Sequence, residues 1–127
     1  MRPVELFAPA AFWRLPESER VKLRCGPGRG ILERLVPETI YLLTITPACA
    51  IHDFMYKIGE TDQDKVDADD VFLNNMIRII EANTTNKQLM CLRLRRARIY
   101  YGAVKFFGGP AFWAGKNKPS EVGLVLA

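Results

Sequence analysis

The sequence predicts a mainly α domain with two antiparallel helices at its centre and a third, basic helix. Three observations predict it. Apolar residues recur at helical spacing through residues 66–82 and again through 87–105. Thr46-Pro47 opens an apolar-rich stretch that runs to Ile58 and stops near Gly59. Short polar breaks separate these three stretches, and short connections fold consecutive helices back on one another. At 127 residues the chain makes one domain, spanning 1–127.

Residues 1–24 mix Phe7, Phe12, Trp13 and Leu15 with a short helix after Pro16. The run Cys25-Gly-Pro-Gly-Arg-Gly30 breaks regular structure, because three glycines in five positions mark unusual backbone angles or a close backbone approach. Ile40–Ile45 is apolar and fits either a strand or a helix. In the first helix, Thr46 is placed to cap the free amides and Pro47 suits the first helical position. The second helix runs from about Val66 to Ala82, with Val66, Phe72, Leu73, Met76, Ile77 and Ile80 as its apolar positions. Asn83–Asn86 breaks it. The third runs from about Lys87 to Lys105, with Leu89, Leu92, Ile99, Ala103 and Val104. From Gly108 onward an irregular tail is expected, its aromatics capping a small core or meeting a membrane interface.

The net charge is +4, and its sign is unevenly spread. Glu60, Asp62, Asp64, Asp67, Asp69, Asp70 and Glu81 make one segment acidic, whereas 82–120 holds no carboxylate side chain. Arg93, Arg95, Arg96 and Arg98 are the densest part of the basic stretch. They form a solvated face that pairs with the acidic helix, or a contact for anionic lipid, with nucleic acid the weaker alternative. No apolar run reaches the length of a membrane helix, about 20 residues, and no secretory leader is visible. The three cysteines, Cys25, Cys49 and Cys91, are too few for a disulfide scaffold and are not spaced as a zinc site. One pair with a free thiol, or three thiols, fits the count.

His52 is the only histidine, and its side chain titrates near neutral pH. Asp53 follows it on a helix that is otherwise apolar from Pro47 to Tyr56, where a buried carboxylate needs a partner or a metal. On the second helix Asp69 differs from its acidic neighbours. Its helical neighbours Val66, Phe72, Leu73 and Met76 are all apolar, so it points inward, towards the helix that carries His52. A carboxylate facing a histidine forms a general-base dyad: the acid fixes the imidazole tautomer and stabilises the imidazolium. The alternative role for Asp69 is a favourable contact with the helix N-terminus.

These residues carry a resemblance. Cys49-Ala-Ile-His52-Asp53-Phe-Met-Tyr56 resembles the Cys-x-x-His-Asp-x-x-Tyr box of the secreted phospholipase A2 superfamily. Cys25-Gly26-Pro-Gly28 is similar to that superfamily's Cys-Gly-x-Gly calcium loop. Ala68-Asp69-Asp-Val-Phe72 looks like the Ala-Asp-x-x-Phe of parvovirus capsid phospholipase A2 domains, and Gly102–Gly108 looks like a segment of small phage-associated proteins of the same lineage. The match covers roughly Arg24 to Gly108, leaving 109–127 as tail. Met55 stands where disulfide-rich members have a cysteine, and Arg29 where a second glycine is common.

The resemblance implies a phospholipase A2-like fold with a glycine-rich calcium loop, and a calcium-dependent esterase acting on phospholipid acyl esters. It implies His52 as the base that activates water, Asp69 as the group that orients it, and Tyr56 as a hydrogen-bond donor to Asp69. Tyr100 or Tyr101 would add a second donor. Asp53 and the backbone carbonyls of Arg24, Gly26 and Gly28 would hold Ca2+, and the Gly26 amide would help stabilise the oxyanion. Cys25 and Cys49 would form the one disulfide. The partner would be a phospholipid membrane surface. The alternative is a non-enzymatic, phage-associated structural or interaction protein that keeps the scaffold. With no leader visible, the expectation is a protein made soluble in the cytoplasm and delivered by another route or within a virion.

Overall fold

The computed structural model describes residues 4–20 and 36–116. In chain order these form a short helix α1 (Ala10–Arg14), strands β1 (Thr39–Ile40) and β2 (Leu43–Thr44), and helices α2 (Thr46–Ile58), α3 (Asp62–Asn83), α4 (Lys87–Phe107) and α5 (Gly109–Trp113). The chain is mainly helical.

α2 and α3 are joined by the three residues Gly59, Glu60 and Thr61, and pack along each other. α3 begins four residues earlier than the apolar pattern indicated, because its start is set by polar capping. The Thr61 hydroxyl accepts from the Asp64 amide at 3.0 Å, and the Asp64 carboxylate accepts from the Thr61 amide at 3.1 Å. α2 is capped differently from expectation. Thr46 lies inside the helix, its hydroxyl is directed at Glu38, and no side chain caps the end. Pro47 in the first turn lacks an amide that would need a partner. α4 packs antiparallel on α3, its start capped by the Asn86 side chain.

The ambiguous run Ile40–Ile45 is an antiparallel hairpin, with Ile40 opposite Leu43. Ile40, Leu43 and Ile45 are buried against α2, α3 and α4. Its two-residue turn holds Tyr41 at φ 44° and Leu42 at φ 68°, a left-handed conformation that costs side-chain-bearing residues roughly 1–2 kcal/mol each. Three burials and a clamp offset this. Arg93 donates to the Tyr41 carbonyl at 2.8 Å, and the Arg96 guanidinium lies 5.3 Å from the Tyr41 ring centre.

The buried stripe of α3 is Ala68, Asp69, Phe72, Asn75, Met76, Ile79 and Ile80. Val66, expected among them, is exposed. On α4 the expected face is displaced: Leu92 and Ile99 face solvent, whereas Arg93, Ala97, Tyr100 and Val104 are buried. The N-terminal segment is strapped to α3 by Asn75, whose buried amide accepts from the Phe7 amide at 2.7 Å and donates to the Phe7 carbonyl at 2.8 Å. Phe12 of α1 then packs on Ala50, Ile51 and Phe54 of α2. Residues 109–113, expected to be irregular, form α5. Gly108 and Pro110 suit its start, and Phe112 buries fully against Tyr56 and Ala68.

Candidate active site

α2 and α3 bring His52 and Asp69 together inside the protein. Both side chains are buried, and His52 Nε2 lies 2.8 Å from Asp69 Oδ1. Tyr56, one turn after His52 on the same face, donates its hydroxyl to the same Asp69 oxygen at 2.7 Å. The His52 ring is packed between Tyr56, 4.1 Å away centre to centre, and Phe72 at 4.7 Å, so its plane is fixed by neighbours on both helices.

Asp69 is an anion in this setting. Burial pushes its pKa upward, but hydrogen bonds from His52, Lys65 and Tyr56 outweigh burial and hold it below the ordinary carboxylate value. The His52 imidazole is shifted down. Burial is the main cause and the Lys65 charge adds to it, while the bond to Asp69 and its charge oppose without prevailing. Burial also pushes the Tyr56 phenol well above its ordinary value, with the bond to Asp69 adding to it, so the group stays a donor. An ionised Asp69 accepts a hydrogen bond from Nε2–H of a neutral ring, which leaves the lone pair on Nδ1. Among the described residues His52 makes its hydrogen bond through Nε2 alone. The arrangement is a neutral imidazole with one nitrogen anchored and the other able to take a proton.

Both candidates for the second donor go elsewhere. The Tyr100 hydroxyl bonds the Thr39 carbonyl at 2.8 Å, because Tyr100 faces the hairpin, and the Tyr101 hydroxyl bonds Asp70 at 2.9 Å, outside the core. Their place at Asp69 is taken by Lys65, whose ammonium reaches Oδ2 at 2.8 Å. In the sequence Lys65 falls one residue before the expected start of the second helix at Val66. Its spacing of four residues from Asp69 was the available signal.

The end of α4 closes the site from the other side. The Tyr56 hydroxyl lies 3.5 Å from the Val104 carbonyl. A Cβ on Gly108 would stand 2.5 Å from the Tyr56 hydroxyl oxygen, so the absence of a side chain there admits the tyrosine. Phe112 meets the Tyr56 ring edge-on, and Lys116 donates to the Tyr56 carbonyl.

The remaining expected residues separate. Asp53 is half-buried on α2, next to His52. Arg24, Cys25, Gly26 and Gly28 lie outside the described residues, and with them the calcium loop and the Cys25–Cys49 pairing. Cys49 is half-buried and Cys91 exposed. Arg95, Arg96 and Arg98 are exposed, but Arg93 is not a surface residue. It is buried, with bonds at 2.8 Å to the Thr84 hydroxyl and to the Tyr41 carbonyl, which removes it from any anionic contact. Nor, among the described residues, do the α4 arginines pair with the acidic helix: their bonds run to Thr84 and to Tyr41 of the hairpin.

Comparisons with protein-family models, curated proteins and solved structures return no match.

Proposed function

We propose that the protein is a calcium-dependent esterase of the phospholipase A2 type, hydrolysing phospholipid acyl esters with water activated by His52. The observation that carries this reading is the buried constellation of His52, Asp69 and Tyr56, in which one imidazole nitrogen is anchored and the other is a free base. Buried polar groups cost stability unless they are satisfied. A neutral imidazole locked against an ionised carboxylate is the form that general-base catalysis requires.

In this mechanism Nδ1 of His52 takes a proton from water as the water oxygen attacks the ester carbonyl. Asp69 stabilises the resulting imidazolium through Nε2–H, and Nδ1 returns the proton to the departing alcohol. Tyr56 keeps Asp69 in place. Among the described residues no group of three or more His, Cys, Asp or Glu side chains is placed to hold a metal. The calcium set proposed here is of another kind, with Asp53 giving one carboxylate and the carbonyls of Arg24, Gly26 and Gly28 giving backbone oxygens, all of the hard type that Ca2+ accepts. Bound there, the ion supplies positive charge where the ester oxyanion develops.

The substrate would be met at a membrane surface, with the exposed Arg95, Arg96 and Arg98 as candidate contacts for anionic head groups. Among the described residues no helix is long and apolar enough to cross a membrane.

The test is hydrolysis of phospholipid vesicles by wild type and His52→Gln, each with calcium or with chelator. Product is expected from wild type with calcium alone. Equal product in all four conditions refutes hydrolysis by this site and leaves the non-enzymatic scaffold as the reading.

A further inference from the structure

Lys65 has no role in the mechanism above, yet its side chain is only 14% exposed. Burying an ammonium requires compensation for each of its three donors. All three are used: Asp69 Oδ2 at 2.8 Å, the Val104 carbonyl at 3.1 Å and the Lys105 carbonyl at 3.2 Å. The two carbonyls belong to the last turn of α4, where the helix dipole is negative, and the Val104 carbonyl also accepts from the Gly108 amide at 2.9 Å. α4 therefore holds the cation and presents it to a carboxylate on α3.

The two oxygens of Asp69 have separate partners. Oδ2 takes Lys65, and Oδ1 takes His52 and Tyr56. We propose that Lys65 is a positioning residue for the His52–Asp69 dyad: its ammonium, seated in the C-terminal carbonyls of α4, occupies Asp69 Oδ2 and fixes Oδ1 on the His52 ring. This inference rests on the esterase reading for its kinetic consequence and on the geometry alone for its structural one. Without Lys65 the carboxylate can rotate and exchange its oxygens. The ring then loses its fixed partner oxygen, and with it the fixed proton on Nε2 that keeps the lone pair on Nδ1.

The experiment uses the full chain as wild type, Lys65→Met and Lys65→Arg, with folding checked by circular dichroism. Met keeps the length of the side chain and removes the charge; Arg keeps charge and donors. Hydrolysis of phosphatidylcholine–phosphatidylglycerol vesicles with calcium gives the kinetic arm. Lys65→Met is expected to lower kcat by about 10–100-fold, the usual size for an outer-shell partner. Its KM stays within about twofold, because the lost contact supports the dyad and touches no substrate. Lys65→Arg recovers most of the loss.

The spectroscopic arm uses the single histidine, whose ring nitrogens give unambiguous 15N signals. At one neutral pH, wild type shows a single neutral form with its proton on Nε2. Lys65→Met shows mixed tautomers. A Lys65→Met ring spectrum identical to wild type overturns the proposal whatever the kinetics, as do equal falls in kcat for Met and Arg. If wild type hydrolyses nothing, the esterase reading fails and the ring spectrum alone decides the role of Lys65. Should Lys65→Met fold poorly, Lys65→Ala, which also removes the donor to Asp69 Oδ2 but sets less apolar bulk beside it, takes its place in both arms.

Discussion

Replacing Asp69 by Asn separates the charge of this side chain from its shape. The carboxylate accepts bonds from His52 at 2.8 Å, Tyr56 at 2.7 Å and Lys65 at 2.8 Å. An amide in its place has one oxygen and one NH2 group. The Lys65 ammonium can only donate, so the amide oxygen turns to Lys65 and the NH2 faces His52. The ring must then accept through Nε2, and its proton moves to Nδ1. The base is lost although every side chain stays near its place. The expected fall in kcat is about 10⁴-fold, the scale of a wrong histidine tautomer in a catalytic dyad. Stability falls by about 1–3 kcal/mol, since a charged acceptor becomes neutral but hydrogen bonds remain. Asp69→Leu, which strands Lys65 without a counter-charge, costs more, about 3–5 kcal/mol. Urea denaturation followed by tryptophan fluorescence measures stability, and vesicle hydrolysis measures kcat. An Asp69→Asn protein that keeps kcat within about tenfold, or that is as unstable as Asp69→Leu, refutes this account.

Two glycines of the α4 region should respond oppositely to alanine. At Gly108 a Cβ would stand 2.4 Å from the Val104 carbonyl oxygen and 2.5 Å from the Tyr56 hydroxyl, so Gly108→Ala is expected to cost about 1–3 kcal/mol and to lower activity through Tyr56. At Gly102, inside α4, a Cβ meets nothing within 4 Å, so Gly102→Ala should stabilise by about 0.5–1 kcal/mol in the same denaturation assay. Stability should also fall in two acid steps. Burial lowers the folded His52 pKa below its ordinary 6.5, so the unfolded chain takes the proton first. The stability from neutral His52 is whole above about pH 6.5 and declines below it. Burial raises the Asp69 pKa, but the bonds from His52, Lys65 and Tyr56 prevail, leaving the folded value below the ordinary 3.8. Its contribution is present above that value and is lost as pH falls through the folded pKa. Denaturation across pH should show the first step vanish in His52→Phe, and its persistence there would assign it to another group. Arg93→Met should destabilise by about 2–4 kcal/mol, by stranding the Thr84 hydroxyl and Tyr41 carbonyl, whereas the exposed Arg95→Ala should change stability by less than about 0.5 kcal/mol.

The fold was legible where apolar spacing and punctuation agreed. α2 follows from Thr46-Pro47 and Gly59, and α3 and α4 from helical periodicity. It was less legible where amphipathic residues do the burying. Arg93 read as a surface residue of α4 and Tyr100 as a candidate donor to Asp69, yet both lie with Ala97 and Val104 on its inner face, turned to the hairpin. Each buries a stem or ring and carries its polar end to a backbone carbonyl, Tyr41 for Arg93 and Thr39 for Tyr100. Leu92 and Ile99 then face outward, although a hydrophobicity pattern alone would bury them. The hairpin was hidden for a related reason. Its turn is Tyr41-Leu42, without the Asn or Gly that usually marks left-handed backbone, and what supports it comes from α4, more than 50 residues away.

The same division runs through the site. His52 and Tyr56 are one helical turn apart, and Asp69 stands in an apolar stripe, so local periodicity brings all three into view. Phe72 and Met76 supplied that signal correctly, even though Val66 is exposed. For Lys65 the four-residue spacing signals only the contact with Asp69, because the rest of what holds it is not local. Its carbonyl partners lie 39 and 40 residues further on, at the end of another helix. Side-chain identity there is irrelevant, since backbone oxygens do the binding. That end of α4 receives Lys65 at Val104, leaves room for the Tyr56 hydroxyl at Gly108, and continues into α5, which packs Phe112 on the Tyr56 ring. The carboxylate beside His52 is thus fixed by three helices. α2 brings the tyrosine, α3 brings the carboxylate itself, and α4 brings the seat for the lysine. A change at the end of α4 should therefore be felt at His52 without touching it, with Asp69 carrying the effect.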